Sequence, residues 1–150
     1  APAIRRLADE GLGIKLALSL HATTDALRAQ LIPVARKYPL AEVLEACRAY
    51  CAAAGPRHRV TFEYLLIKGI NDNAADVTRL VGIASHLPSK VNVIPVNPFP
   101  GSPWERPTEA DVERFCDRLR AKHVQVNVRI SRGREILAAC GQLATQSRSA

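Results

Sequence analysis

The sequence predicts an α/β fold of parallel strands alternating with helices, about half of a β/α barrel, and three observations carry that expectation. Apolar runs of strand length recur at residues 14–20, 59–67, 91–96 and 124–130. The stretches between them have the apolar spacing of helices, and strand–helix alternation of this size implies a parallel sheet with right-handed crossovers. The composition, 47% hydrophobic and 23% charged over 150 residues, supplies a core for one domain spanning 1–150. Four strands could also form a small open sheet. The chain starts at Ala1 and contains no methionine, so we expect a piece of a longer chain, which favours the half-barrel.

Residues 2–10 read as a helix with Pro2 in its first turn, stopped by Gly11 and Gly13. Residues 14–20 are nearly unbroken apolar, the pattern of a strand buried on both faces, and they run into Ser19-Leu20-His21. His21 therefore sits at the C-terminal end of a strand, where it either caps the sheet edge or faces a ligand. Thr23 and Thr24 are N-cap candidates for a short helix through Gln30, and residues 33–39 form a basic loop. Residues 40–54 place Leu40, Val43, Leu44, Cys47, Cys51 and Ala54 on one helical face. Cys47 and Cys51 lie in that stripe with no third ligand near, so core packing accounts for them better than a metal.

Gly55-Pro56 breaks the chain before a second strand at residues 59–67, rich in β-formers. Glu63 interrupts it on the Thr61, Glu63 and Leu65 face, which either lines a polar lumen or is an exposed sheet face; the cost of an unpaired buried carboxylate favours the lumen. Asn71-Asp72-Asn73 supplies turn and cap chemistry for a helix using Val77, Leu80, Val81 and Ala84. A third strand, residues 91–96, enters Asn97-Pro98-Phe99-Pro100-Gly101-Ser102-Pro103-Trp104. Three prolines stiffen that loop and hold Asn97 at the strand end, as a plain turn residue or as an amide that fixes a ligand. Thr108 with Asp111 resembles a capping box for a helix that buries Val112, Phe115, Cys116 and Leu119. A fourth strand, residues 124–130, leads to a short helix after Gly133 that puts Ile136, Leu137 and Cys140 on one face, with Gly141 as its stop. On these last residues alone Cys140 reads as a half-buried structural cysteine, because a negative helix pole disfavours a resting thiolate.

The 21 Lys and Arg against 14 Asp and Glu give a formal charge of +7, which makes a polyanion the first partner to consider. Arg36-Lys37 and Arg129, Arg132 and Arg134 are the candidate contacts. No apolar run approaches membrane-spanning length. Four cysteines without a signal peptide or disulfide spacing point to a reducing cytoplasm. No phosphate-gripping glycine-rich loop is present, as an ordinary small-molecule barrel enzyme would want.

Four segments then match a known family in order and spacing: Ser19-Leu20-His21-Ala22, Pro33-Val34-Ala35-Arg36-Lys37-Tyr38, Asn97-Pro98-Phe99-Pro100-Gly101, and Arg132-Gly133 followed by Ala138-Ala139-Cys140-Gly141-Gln142-Leu143. Together they resemble the C-terminal part of the radical S-adenosylmethionine RNA methyltransferases of the RlmN/Cfr type. The resemblance implies the C-terminal half of a radical SAM, partial TIM-like barrel. It implies methylation of carbon 2 of adenine in 23S rRNA and some tRNAs, with S-adenosylmethionine and a [4Fe-4S] cluster as cofactors. Cys140 matches the cysteine that is methylated on sulfur and whose methyl group, after loss of a hydrogen to a 5′-deoxyadenosyl radical, is joined to the base. Ser19, Leu20, His21 and Asn97 match positions that hold S-adenosylmethionine. The alternatives are methylation of carbon 8, as in Cfr, and a noncatalytic basic RNA-binding fragment. The sequence departs from the family in lacking the C-x3-C-x2-C cluster motif, so the cluster ligands and a second, resolving cysteine are expected upstream of Ala1. Ala35 and the pair Arg134-Glu135 also differ from the pattern.

Overall fold

The computed structural model describes residues 1–130. Residues 131–150, and with them Arg132, Arg134 and Cys140, lie outside the described residues. The elements follow in the order α1 (Pro2–Glu10), β1 (Ala17–Ser19), α2 (Asp25–Leu31), a 3-10 turn (Pro33–Arg36), α3 (Leu40–Ala54), β2 (Val60–Leu66), α4 (Ala74–Ser85), β3 (Ser89–Pro95), α5 (Glu109–Arg120) and β4 (Val126–Val128). All four strands are parallel and lie side by side in chain order, β1-β2-β3-β4. The expected alternation of strand and helix is borne out.

Helix boundaries follow the local signals. Pro2 stands in the first turn of α1, and Gly11, at φ 61°, takes the left-handed conformation that ends it. The side chains of Thr24, Asn73 and Thr108 cap α2, α4 and α5 by accepting from the backbone N–H three residues on. At α5 the box is reciprocal, since the Asp111 carboxylate also accepts from the Thr108 N–H. The basic loop contains a 3-10 turn that the sequence does not announce; Pro33 starts it and Arg36 and Lys37 are exposed on it.

One face of the sheet packs on helices. Phe62, Tyr64 and Leu66 of β2 and Val91 and Val93 of β3 are fully buried, together with Leu80 of α4 and Cys116 and Leu119 of α5. The Tyr64 and Phe115 rings stack with centroids 5.6 Å apart. Cys47, Cys51 and Cys116 are all buried thiols in this core, and burial pushes Cys47 and Cys116 each up to about 11, away from thiolate chemistry.

The other face carries Glu63, Asn92 and Asn127 beside Leu65 and Ile94, and here the first strand departs from expectation. The apolar run predicts a strand buried on both faces over residues 14–20, but β1 is three residues long, with Ala17 and Ser19 exposed. Among the described residues it pairs with β2 alone, and its second face belongs to the side of the sheet that the helices do not cover. Apolar content alone does not distinguish that arrangement from full burial.

Candidate functional site

β1 ends at Ser19, level with a point three residues before the end of β2, and the backbone that follows is bound tightly to its neighbour. Leu20 N–H and His21 N–H both donate to the Glu63 carbonyl, at 3.0 and 3.2 Å. Leu65, further along β2, lies past the end of β1, and His21 supplies an acceptor for its N–H, with Nδ1 at 3.0 Å. At the ring level Nδ1 thus caps the sheet edge, so the neutral ring carries its proton on Nε2. Burial first, and the Arg28 guanidinium second, push His21 down to about 4, although the Glu63 backbone raises it.

His21 also has φ 56°, a left-handed conformation that is uncommon without glycine and costs of order 1 kcal/mol or more. Asn71 holds it there. The Asn71 side-chain amide donates to the carbonyls of His21 at 2.9 Å and Leu65 at 2.6 Å, while its Oδ1 accepts from Ile67 N–H at 2.8 Å. The Tyr64 hydroxyl donates to the Asn71 carbonyl at 2.7 Å. Asn71 is fully buried, so this bracket replaces a ladder that β1 no longer provides. In the sequence Asn71 carries only the signal of turn chemistry; its place in a strand-to-helix loop does not reveal what the side chain reaches.

Sequence reasoning gives no sign of Arg28. It lies on α2, 4% exposed, and donates from a guanidinium nitrogen to the Ser19 carbonyl at 3.3 Å. A second buried group, Thr23 with Asp76, is joined by Arg79: Thr23 Oγ1 donates to Asp76 Oδ1 at 2.9 Å, and Arg79 donates to both. These contacts tie the loop after His21 to α4. Of the expected cofactor residues, Ser19 is exposed, Leu20 is fully buried in the core, and His21 is half-buried. Leu20 therefore contributes packing and backbone, not a side chain open to the lumen.

Asn97 follows β3 by two residues and is half-buried. Its strand end is fixed from two directions. Val96 N–H donates to the Leu66 carbonyl at 2.9 Å, and Arg106 donates to the Val96 carbonyl at 3.1 Å. Gly101, at φ 82°, closes the turn after Phe99, where Ser102 N–H donates to the Phe99 carbonyl at 2.9 Å. Ser19, His21 and Asn97 thus share the C-terminal end of one parallel sheet, the end at which ligands bind in α/β barrels. That sheet end suits a donor-rich ligand with polar atoms of its own. No group of three His, Cys, Asp or Glu able to hold a metal occurs among the described residues.

Comparison with known proteins shows what the chain is similar to. The sheet superposes on a domain of pyruvate-formate lyase-activating enzyme from Bacteroides vulgatus with TM-score 0.60 at 16% identity, over 76% of this chain and 66% of that one, a likeness of fold alone. A radical SAM methyltransferase from Sphaerobacter thermophilus matches far better, with TM-score 0.86 and 48% identity over 94% of this chain and 41% of that one. Over nearly all of its length, then, the chain is similar to a radical SAM methyltransferase. More particularly, it is homologous to proteins named dual-specificity RNA methyltransferase RlmN. That of Paramagnetospirillum magneticum is 48% identical over 92% of this chain, and that of Rhodospirillum rubrum 48% over 97%. The Parvibaculum lavamentivorans protein is 46% identical over 97%. The chain spans 30–36% of the length of these three relatives. No protein-family model matches it. No helix among the described residues is long and apolar enough to cross a membrane.

Proposed function

We propose that the chain is the C-terminal part of a cytoplasmic radical SAM RNA methyltransferase that methylates carbon 2 of adenine in 23S rRNA and tRNA. The observation that carries this reading is the conjunction of Ser19, His21 and Asn97 at one end of a parallel sheet in a chain 48% identical to a radical SAM methyltransferase. S-adenosylmethionine, when bound, supplies both the methyl group and the source of the hydrogen-abstracting radical. The rest of the work falls to the protein's own residues.

Ser19 and Asn97 offer a hydroxyl and an amide at the strand ends, able to donate to and accept from the cofactor's polar groups. His21 presents an N–H and stays neutral at physiological pH, so it adds no repulsion to a positively charged sulfonium. The strand ends are fixed before any ligand arrives, through Asn71 and Arg106, so little ordering is left to do on binding. Cys140 is the methyl carrier. A tethered one-carbon unit held beside the base gains from proximity where the target carbon is a poor nucleophile. The cluster's ligands are supplied by chain that this sequence does not contain.

The test uses the complete, cluster-loaded enzyme and adenine-containing rRNA and tRNA fragments. Cys140→Ala should abolish methylation outright, since alanine cannot accept a methyl group. Cys47→Ala, Cys51→Ala and Cys116→Ala should keep activity and lose only stability, as buried large-to-small changes do. Full activity in Cys140→Ala would end this reading, and a product methylated at carbon 8 would reassign the position.

A further inference from the structure

The sheet face turned away from the helices carries one row of polar side chains. Ser19, Glu63, Asn92 and Asn127 occupy matched register positions on β1, β2, β3 and β4. Register partners in a parallel sheet project on the same side, so the four form a line across the lumen face at strand spacings of about 4.8 Å. Glu63 is the charged member. Its Oε1 accepts from Asn92 Nδ2 at 3.0 Å. Its Oε2 is shielded from solvent and has no hydrogen-bond partner among the described residues. A shielded carboxylate oxygen without a donor is destabilising, and the residues on either side of Glu63, Phe62 and Tyr64, are fully buried on the opposite face. Oε2 is therefore open to a donor from outside the described residues.

We infer that Glu63 is a ligand-positioning residue whose Oε2 accepts a hydrogen bond from a ribose hydroxyl of S-adenosylmethionine. Asn92 orients the carboxylate for that contact. The inference rests on the cofactor reading above and extends it from the rim of the sheet into the lumen. Two features select this ligand. Glu63 is one strand away from Ser19, the first residue of the segment proposed to hold the cofactor. S-adenosylmethionine is also rich in hydroxyl and ammonium donors and carries a sulfonium charge that a carboxylate attracts, whereas an adenine base offers one amine and no charge.

The experiment is calorimetric titration of S-adenosylmethionine into the complete, cluster-reconstituted enzyme, run beside thermal unfolding. Glu63→Gln keeps shape and can still accept from Asn92, but it loses the charge. Affinity should fall roughly tenfold or more, the scale of a hydrogen bond to a charged group, with the unfolding temperature little changed. Glu63→Asp keeps the charge but withdraws it by one methylene, and should also weaken binding. The ribose contact is isolated with 5′-methylthioadenosine, which has the ribose but neither the sulfonium charge nor the amino-acid part. A matching loss for it supports the ribose contact, and a loss confined to S-adenosylmethionine would overturn it. Unchanged cofactor affinity in both variants, or a loss confined to the KM for RNA, would overturn the inference. Asn97→Ala separates this from the wider reading. If Asn97→Ala weakens cofactor binding while Glu63→Gln does not, only the role of Glu63 falls. If neither does, the cofactor site itself is misplaced.

Discussion

His21 shows how one residue can serve the sheet and the site together. Its Nδ1 completes the β2 ladder, its carbonyl is held by Asn71, and its backbone is left-handed, so the imidazole has a fixed tautomer and a fixed direction. The identity and the strand-end position of His21 are legible in the sequence, but its bonding is not. The partners lie 44 and 50 residues away in the chain, and no local pattern announces them. A pH dependence follows. His21 titrates at about 4 in the native protein, against 6.5 for an unperturbed histidine. Between those values the unfolded chain binds a proton that the native protein refuses, so stability is full above about 6.5 and declines as pH falls toward 4. Denaturant midpoints measured across that window should therefore drop for the wild type and flatten in His21→Asn, a residue that tolerates the left-handed conformation. Parallel profiles would assign the acid sensitivity to other groups.

Elements are most legible where capping chemistry and apolar spacing agree. The α3 boundaries match expectation because Pro39, Gly55 and an uninterrupted apolar stripe define them without reference to anything distant. α5 likewise buries the four residues that its spacing selects, Val112, Phe115, Cys116 and Leu119. β1 is shorter than its apolar run, because apolar content shows where a strand can lie and not where its pairing stops. Arg28 is invisible for a related reason: a basic residue on a short helix reads as solvated unless the neighbouring strand end is known. At this scale the capping box is open to test. Thr108→Ala removes the acceptor for Asp111 N–H and the hydroxyl that binds the Asp111 carboxylate, and should cost about 1 kcal/mol. Thermal unfolding should show that loss without a change in cofactor affinity, whereas a loss of affinity would mean that α5 couples to the site.

For the whole molecule, the half-barrel explains why the helix-covered face is apolar and the lumen face carries Ser19, Glu63, Asn92 and Asn127. The architecture is legible from strand–helix alternation. The polar row is legible only at Glu63, because asparagines and serines in short strands look unremarkable until their register is known. The surplus of positive charge, with Arg36, Lys37 and Arg129 exposed, fits binding to a phosphate backbone. Changing Arg36 and Lys37 together to Ala in the complete enzyme should weaken RNA binding. It should also lower the slope of log affinity against log salt by about 0.7 to 0.9 for each phosphate that is no longer neutralised. An unchanged slope would place the RNA elsewhere.

The central claim is that this chain furnishes the methyl-carrying sulfur while its core thiols stay inert. It is tested most directly by mass spectrometry of the cysteine-containing peptides from active, complete enzyme incubated with isotopically labelled S-adenosylmethionine. The account predicts one labelled methyl group on Cys140 and none on Cys47, Cys51 or Cys116, whose sulfurs are buried in the core. A labelled methyl on any of those three, or an unlabelled Cys140 in enzyme that is turning over, would contradict it.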